Sequence, residues 1–262
     1  MPLTLTPLAS IPLIRPGDNL AGIILAALRT SYITLKDNDI LVITSKIVSK
    51  AEARYINLDM ITPSKEAVGL ATRSEKDARM VELILQESHE VLRVRPGTII
   101  VEHRLGFVCA NAGIDHSNVA PLQTSEVSQD PRDLEWVLLL PENPDRSALE
   151  LRRKLEAASG ARLGVMIIDS HGRAWRLGTV GMAIGLSGLP GVVDERGWKD
   201  LFGYTLQITV VGAADELAAA ASLVMGQAAE ATPVVHVRGF PYPLRDGSLG
   251  ELLRDKKGDL FR

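Results

Sequence analysis

Four short runs along the chain are apolar throughout: Ile40-Leu41-Val42-Ile43, Phe107-Val108-Cys109-Ala110, Trp136-Val137-Leu138-Leu139-Leu140 and Leu163-Gly164-Val165-Met166-Ile167-Ile168. Runs of that length suit strands buried on both faces. Leu3, Leu5 and Leu8 open a further strand-like stretch broken by Pro2 and Pro7, and residues 234–237 close the series. Residues 91–94 and 98–102 flank Pro96-Gly97 as a hairpin, and residues 206–211 alternate only in part. Between these runs the apolar spacing turns helical. Leu20, Ile23, Ile24, Ala27 and Leu28 stripe one face of residues 19–30, with Asp18 as the cap. Residues 64–88 read as one long polar helix or two, and residues 147–159 as a helix that enters from the Pro141 to Asp145 turn and stops at Gly160. The alanine-rich stretch 213–225 carries Asp215 and Glu216 in its first turn, where they complement the helix dipole. Residues 11–18 are extended or turned around Pro12 and Pro16. Residues 123–133 read as a polar surface loop, 194–203 as a charged loop with a short helix, and 244–262 as a charged, frayed tail.

Short strands and helices alternate from end to end, which predicts an α+β chain with no repeat and no appended linker. A second domain has to be inserted: roughly residues 1–90 with 190–262 as one unit and 91–189 as the other. The glycines of a P-loop are absent after Thr44. The set Gly178, Gly181, Gly185, Gly188 and Gly191 does not match a dinucleotide fingerprint, so neither a P-loop nor a Rossmann fold is expected. Those glycines instead suit close approach to a ligand or another chain.

The 262 residues are 46% hydrophobic, enough for a real core. A net charge of −3 and 4% aromatics argue against nucleic acid and anionic membranes as partners. No basic region followed by an apolar core opens the chain, and no run is long enough to span a bilayer. The one cysteine, Cys109, lies in an apolar strand, fits a reducing cytoplasm and reads as an inert buried thiol.

Three apolar strands run into oxygen-rich segments. The first leads to Thr44-Ser45-Lys46-Ile47-Val48-Ser49-Lys50, where Ser45 can donate to a phosphate and Lys50 can reach its charge. A helix cap with two surface lysines explains the same residues equally well. The second leads to Asn111-Ala112-Gly113-Ile114-Asp115-His116-Ser117-Asn118, which taken alone is an ordinary turn. The third ends on Asp169-Ser170, with Arg173 and Arg176 just beyond. Hard oxygen donors with little histidine suit magnesium or manganese rather than zinc, and the nearby cations suit phosphate oxygens. Together they allow a metal-dependent enzyme acting on a nucleotide or another phosphorylated ligand.

The words Ile11-Pro12-Leu13-Ile14, Ser45-Lys46-Ile47-Val48-Ser49-Lys50-Ala51-Glu52, the 106–115 segment, Ser117-Asn118, Leu140-Pro141, Asp169-Ser170, Gly172-Arg173, Trp175-Arg176 and the 214–233 segment together carry a resemblance. In that order, over nearly the whole chain, they resemble the coenzyme F420-0:L-glutamate ligase family, also called F420-0:gamma-glutamyl ligase. The resemblance implies GTP-dependent addition of L-glutamate to the carboxylate of F420-0 through an acyl phosphate, with release of GDP and phosphate. It implies two divalent ions (Mn2+ or Mg2+), K+ as activator, and an intertwined two-domain homodimer.

By the same resemblance Ile11, Pro12, Leu13, Ile14, Ser45, Lys46, Lys50 and Asn118 touch the nucleotide. So does the run Met225, Gly226, Gln227, Ala228, Ala229, Glu230, Ala231 and Thr232. Asp115, Asp169 and Ser170 bind the first metal, and Gln227 sits at the second. Lys50, Asp115 and Asp169 are the catalytic candidates. Arg173 and Arg176 are added as phosphate or substrate-carboxylate contacts; surface or interface arginines are their plainer reading. The chain departs from the family at Ala53, where glycine is frequent, and at Leu105, where a basic or polar residue is. No C-terminal nitroreductase-like domain, as some bacterial relatives carry, is expected. No base-reading motif separates GTP from ATP, and the number of glutamates added is not legible. The competing readings are a ligase for another carboxylate and a nucleotide-binding interaction protein without catalysis.

Overall fold

The computed structural model describes residues 2–119 and 135–260, so the loop expected at 123–133 lies outside the described residues. Strand β1 (Thr4–Pro7) precedes helix α1 (Leu20–Thr30). The cap of α1 is Asn19, whose side chain accepts from the Gly22 N–H. Asp18, expected in that role, instead accepts from the Arg15 N–H at 2.7 Å. β2 (Ile40–Thr44) passes without a loop into α2 (Ser45–Ala51), and β3 (Tyr55–Asn57) follows. The 64–88 segment forms two helices, α3 (Lys65–Ser74) and α4 (Ala78–Gln86). They separate because Glu75 takes a left-handed backbone (φ 53°) and Asp77 caps the second. β4 (Ser88–Arg95), β5 (Thr98–His103) and β6 (Val108–Ala110) form an antiparallel sheet, and β7 (Trp136–Leu138) pairs with β3. α5 (Pro144–Ser159) begins at Pro144 rather than Ser147, because Asn143 caps it and proline is at home in a first turn.

The remaining strands correct the sequence reading. β8 (Gly164–Arg173) does not stop at Ile168; it continues through Asp169 and Ser170 and turns into β9 (Arg176–Ser187). Residues 194–203 form turns rather than a helix, between the two-residue strands β10 (Val193–Asp194) and β11 (Val210–Val211). α6 (Ala213–Met225) and β12 (Val234–Arg238) complete the order. The architecture is mixed α+β with several sheets.

The main sheet runs β1-β12-β2-β8-β9, and among the described residues β2 and β8 are its parallel pair. Both central strands are buried on two faces, which is why they read as continuous apolar runs. Leu41, Ile43, Val165 and Ile167 face one cluster with α1 and α5, while Ile40, Val42, Met166 and Ile168 face the other with α6. Two glycines of β9, Gly181 and Gly185, serve this packing. A Cβ on Gly181 would lie 2.5 Å from the Ala218 carbonyl oxygen of α6, and one on Gly185 would lie 2.4 Å from the Pro144 carbonyl carbon of α5. Their close partners are therefore within the chain, which removes them as an argument for a partner subunit.

Candidate active site

The parallel register creates the site. Thr44 pairs with Ile168, so the residues that follow them, Ser45 at the start of α2 and Asp169 on β8, also lie side by side. The Ser45 hydroxyl donates to Asp169 Oδ1 at 2.7 Å. Ligand sites of α/β sheets collect at this carboxyl end of parallel strands. Lys46 and Lys50, one turn apart on α2, share a face and reach the segment after β6. Lys46 Nζ donates to the Ser117 carbonyl at 2.7 Å and stands 3.2 Å from Asp115 Oδ2. Lys50 Nζ donates to the Asn118 carbonyl at 2.7 Å.

That segment is not a free turn. Asp115 exchanges two 2.9 Å backbone hydrogen bonds with Leu138 of β7. Asn111, Ala112 and Gly113 take three left-handed conformations in succession (φ 51°, 52° and 64°). A Cβ on Gly113 would come within 2.7 Å of the Leu140 side chain, which would have to shift to admit it.

Strand alternation divides the third group. Odd positions of β8 continue the face of Val165 and Ile167, which carries Asp169 and His171. Even positions continue the α6 face, which carries Ser170. Ser170 Oγ accordingly donates to Gln227 Oε1 at 3.0 Å, and Gln227 Nε2 donates to Ser222 Oγ of α6 at 3.0 Å. Asn118 Nδ2 donates to the Ala228 carbonyl at 3.3 Å, which ties the loop after α6 to the loop after β6. Within residues 225–232 the Ala228 N–H donates to Glu230 at 2.8 Å and Thr232 Oγ1 donates to the Met225 carbonyl at 2.9 Å.

The charges are strongly coupled. Burial pushes the Asp115 carboxyl up, Lys46 pulls it back down, and the neighbouring Asp169 charge pushes it up again. Asp169 is more deeply buried, yet His171 and Ser45 outweigh that burial and hold its carboxyl below the usual range. Burial lowers Lys50, and the Lys46 charge lowers it further. Burial, then the Asp169 charge, pushes the Cys109 thiol up to about 12, which leaves it un-ionised.

Two groups of candidates stand apart from this cluster. Ile14 is buried in the core and Leu13 is exposed; their segment joins α2 through the Gly17 N–H, which donates to the Ala51 carbonyl at 2.8 Å. Arg173 and Arg176 sit at the tip of the β8–β9 hairpin, about 13 Å of strand beyond Asp169 at about 3.3 Å per residue. Arg173 Nη1 is buried with no hydrogen-bond partner among the described residues.

Three members of the site were not singled out from sequence: Ser117, Ser222 and His171. For His171 a signal existed. Two residues past Asp169 on one strand, it had to share that carboxylate's face once the strand was known to continue.

The donor chemistry fits hard divalent cations: two carboxylates, hydroxyls and an amide. Among the described residues no three His, Cys, Asp or Glu side chains close on one point, so a cation here draws on mixed donors. Among the described residues His171 Nε2 is buried without a hydrogen bond, 3.1 Å from Asp169 Oδ2.

Comparison with known proteins settles the family. The family model described as F420-0:Gamma-glutamyl ligase matches residues 9–239. The chain belongs to the F420-0:gamma-glutamyl ligase family. Among curated relatives of this family, the coenzyme F420:L-glutamate ligase of Methanothermobacter thermautotrophicus is 46% identical over 264 residues, covering 100% of both chains. That of Methanopyrus kandleri is 46% identical, covering 95% of this chain and 93% of its own. That of Methanocaldococcus jannaschii is 42% identical, covering 96% and 94%. The departure at Ala53 gains a physical meaning here: its φ of 57° is left-handed, a conformation that glycine adopts without strain. Leu105, the other departure, packs against the core. Among the described residues no helix is long and apolar enough to cross a membrane.

Proposed function

We propose that this chain is a GTP-dependent ligase that joins L-glutamate to the carboxylate of coenzyme F420-0. One observation carries the reading beyond family membership: Lys46 and Lys50 of one helix face converge with Asp115 and Asp169 at the carboxyl end of the parallel pair. Both carboxylates are retained together with their cationic neighbours, which favours catalysis over a binding protein that has lost it.

In this reading an oxygen of the F420-0 carboxylate attacks the γ-phosphorus of GTP. The bond to the β–γ bridging oxygen breaks and GDP leaves. The glutamate amine then attacks the acyl carbon, phosphate departs with the carbon–oxygen bond pair, and the nitrogen gives up a proton to solvent as the amide forms. Lys46 and Lys50 neutralise the phosphate oxygens in a sheltered site, where such charge stabilisation is strongest. Asp115 and Asp169 would hold one divalent cation; Ser170, expected beside them, instead shares the opposite face of β8 with Gln227 and would join it at the second, with K+ as activator. Those cations, Mn2+ or Mg2+, supply further charge neutralisation when bound. Arg173, whose Nη1 is buried without a hydrogen-bond partner among the described residues, would meet a distant anionic group of an extended acceptor.

Mass spectrometry of F420-0 incubated with protein, GTP, Mn2+ and glutamate tests the reading. A product heavier by one or more glutamyl residues is expected, and unchanged F420-0 would overturn it. With glutamate withheld, hydroxylamine is expected to trap a hydroxamate. GTP hydrolysis that ignores F420-0, with no hydroxamate, would refute the acyl-phosphate route.

The exposed apolar side chains Trp198, Leu201, Phe202 and Ile208, all between β10 and β11, suit a second copy of the chain as partner. Light scattering is expected to give a dimer that dissociates on Phe202→Ser; a stable, active wild-type monomer would refute it.

A further inference from the structure

The buried imidazole of His171 stands beside Asp169 without the hydrogen bond that its distance invites. It is 7% exposed, and Nε2 lies 3.1 Å from Asp169 Oδ2. The direction of approach gives no hydrogen bond, and Nε2 has no other partner among the described residues. A buried ring nitrogen left in that state is costly and requires an explanation. The ring is also braced. Phe107 lies against it with centroids 5.1 Å apart, and Phe107 is itself stacked on His103 at 5.2 Å with 6° between planes. Ser45 occupies Oδ1 of the same carboxylate, which leaves Oδ2 directed at the imidazole side.

When Nε2 carries no proton, the two face each other as lone-pair donors 3.1 Å apart, an arrangement that a cation between them stabilises. Two ligands at right angles on a six-coordinate ion, each about 2.1 to 2.2 Å from it, stand about 3 Å apart. The observed pair has that spacing. We propose that His171 Nε2 is a nitrogen ligand that shares a divalent cation with Asp169. The inference rests on reading Asp169 as a cation ligand, and it adds to that reading a donor of different chemistry. Imidazole is a good ligand for transition-metal ions, whereas Mg2+ is held by oxygen. His171 therefore biases this centre toward Mn2+ over Mg2+, with waters and phosphate oxygens filling the remaining positions.

Pulsed electron paramagnetic resonance of the full chain loaded with Mn2+ tests this without any turnover. Nitrogen hyperfine coupling to the bound Mn2+ is expected in the wild type and should change to the 15N pattern when histidine is isotopically labelled. His171→Phe, which keeps an aromatic ring against Phe107, should abolish the coupling and weaken Mn2+ binding by about tenfold or more. His116→Ala should leave the coupling in place. Mn2+ that binds, is lost in Asp169→Asn and shows no histidine nitrogen coupling in labelled wild type would overturn the role of His171 while leaving the carboxylate site intact. Coupling that survives in His171→Phe would overturn it too. Mn2+ binding that is unchanged in Asp169→Asn would overturn the cation site itself, and the inference with it. The labelled wild type gives its answer whether or not the variants fold.

Discussion

His103 makes the stability of this chain sensitive to mild acid, and the size of the effect follows from its surroundings. The ring is 1% exposed. Its Nδ1 accepts from the Leu105 N–H at 3.0 Å, which places the proton of the neutral ring on Nε2. Glu87 Oε2 lies 3.8 Å from Nε2, near enough to suggest an ion pair. Yet that oxygen already receives Arg54 at 3.3 Å and Arg104 at 3.2 Å, and both arginines oppose a further positive charge. Burial first, then the Arg104 charge, lowers the His103 pKa from 6.5 to about 4. The unfolded chain therefore binds a proton between those values that the folded chain refuses. Stability from this group is complete above the unfolded pKa and is lost as pH falls toward the folded one. At about 1.36 kcal/mol per pH unit the full effect is about 3 kcal/mol, of which about 2 kcal/mol is lost between pH 7 and pH 4.5. His103→Asn keeps an acceptor for Leu105 and cannot titrate. Urea unfolding of both proteins across that range should show the wild type losing about 2 kcal/mol more than the variant. Parallel stability curves would refute the argument, whatever their offset.

Three further outcomes are expected. Gly181→Ala should destabilise by about 1 to 3 kcal/mol in thermal unfolding, because its Cβ meets the backbone oxygen of Ala218 rather than a movable side chain; an unchanged melting temperature would contradict that packing. Ala53→Gly should stabilise by about 1 kcal/mol by relieving a left-handed backbone, read by the same measurement, and a loss of stability would show that Ala53 is not strained. Lys50→Ala should slow glutamylation about a hundredfold, the scale of one charge-assisted contact in a sheltered site, whereas a change of only a few-fold would place Lys50 outside the chemistry.

Most elements were legible in the sequence because local periodicity reports burial. The apolar runs at 40–43 and 163–168 became the central strands, since a strand covered on both faces has no polar side to show. Gly160 and the acidic first turn of α6 marked helix ends by chemistry that acts within one turn. Three features depended on contacts between distant segments. β8 runs past Ile168 because β9 pairs with it as far as Arg173, and polar residues such as Asp169 and Ser170 stay in a strand when a neighbour supplies the hydrogen bonds. The short helix expected at 194–203 did not form, and Gly181 and Gly185 of β9 packed against α6 and α5. The residue types of the site were visible in isolation, but their sorting was not. The parallel register of β2 and β8 set Ser45 beside Asp169, and the alternation of β8 sent Ser170 to Gln227 on one face and His171 to Asp169 on the other. A sequence names the donors within a short window; which of them share a face is decided only when the strands are paired.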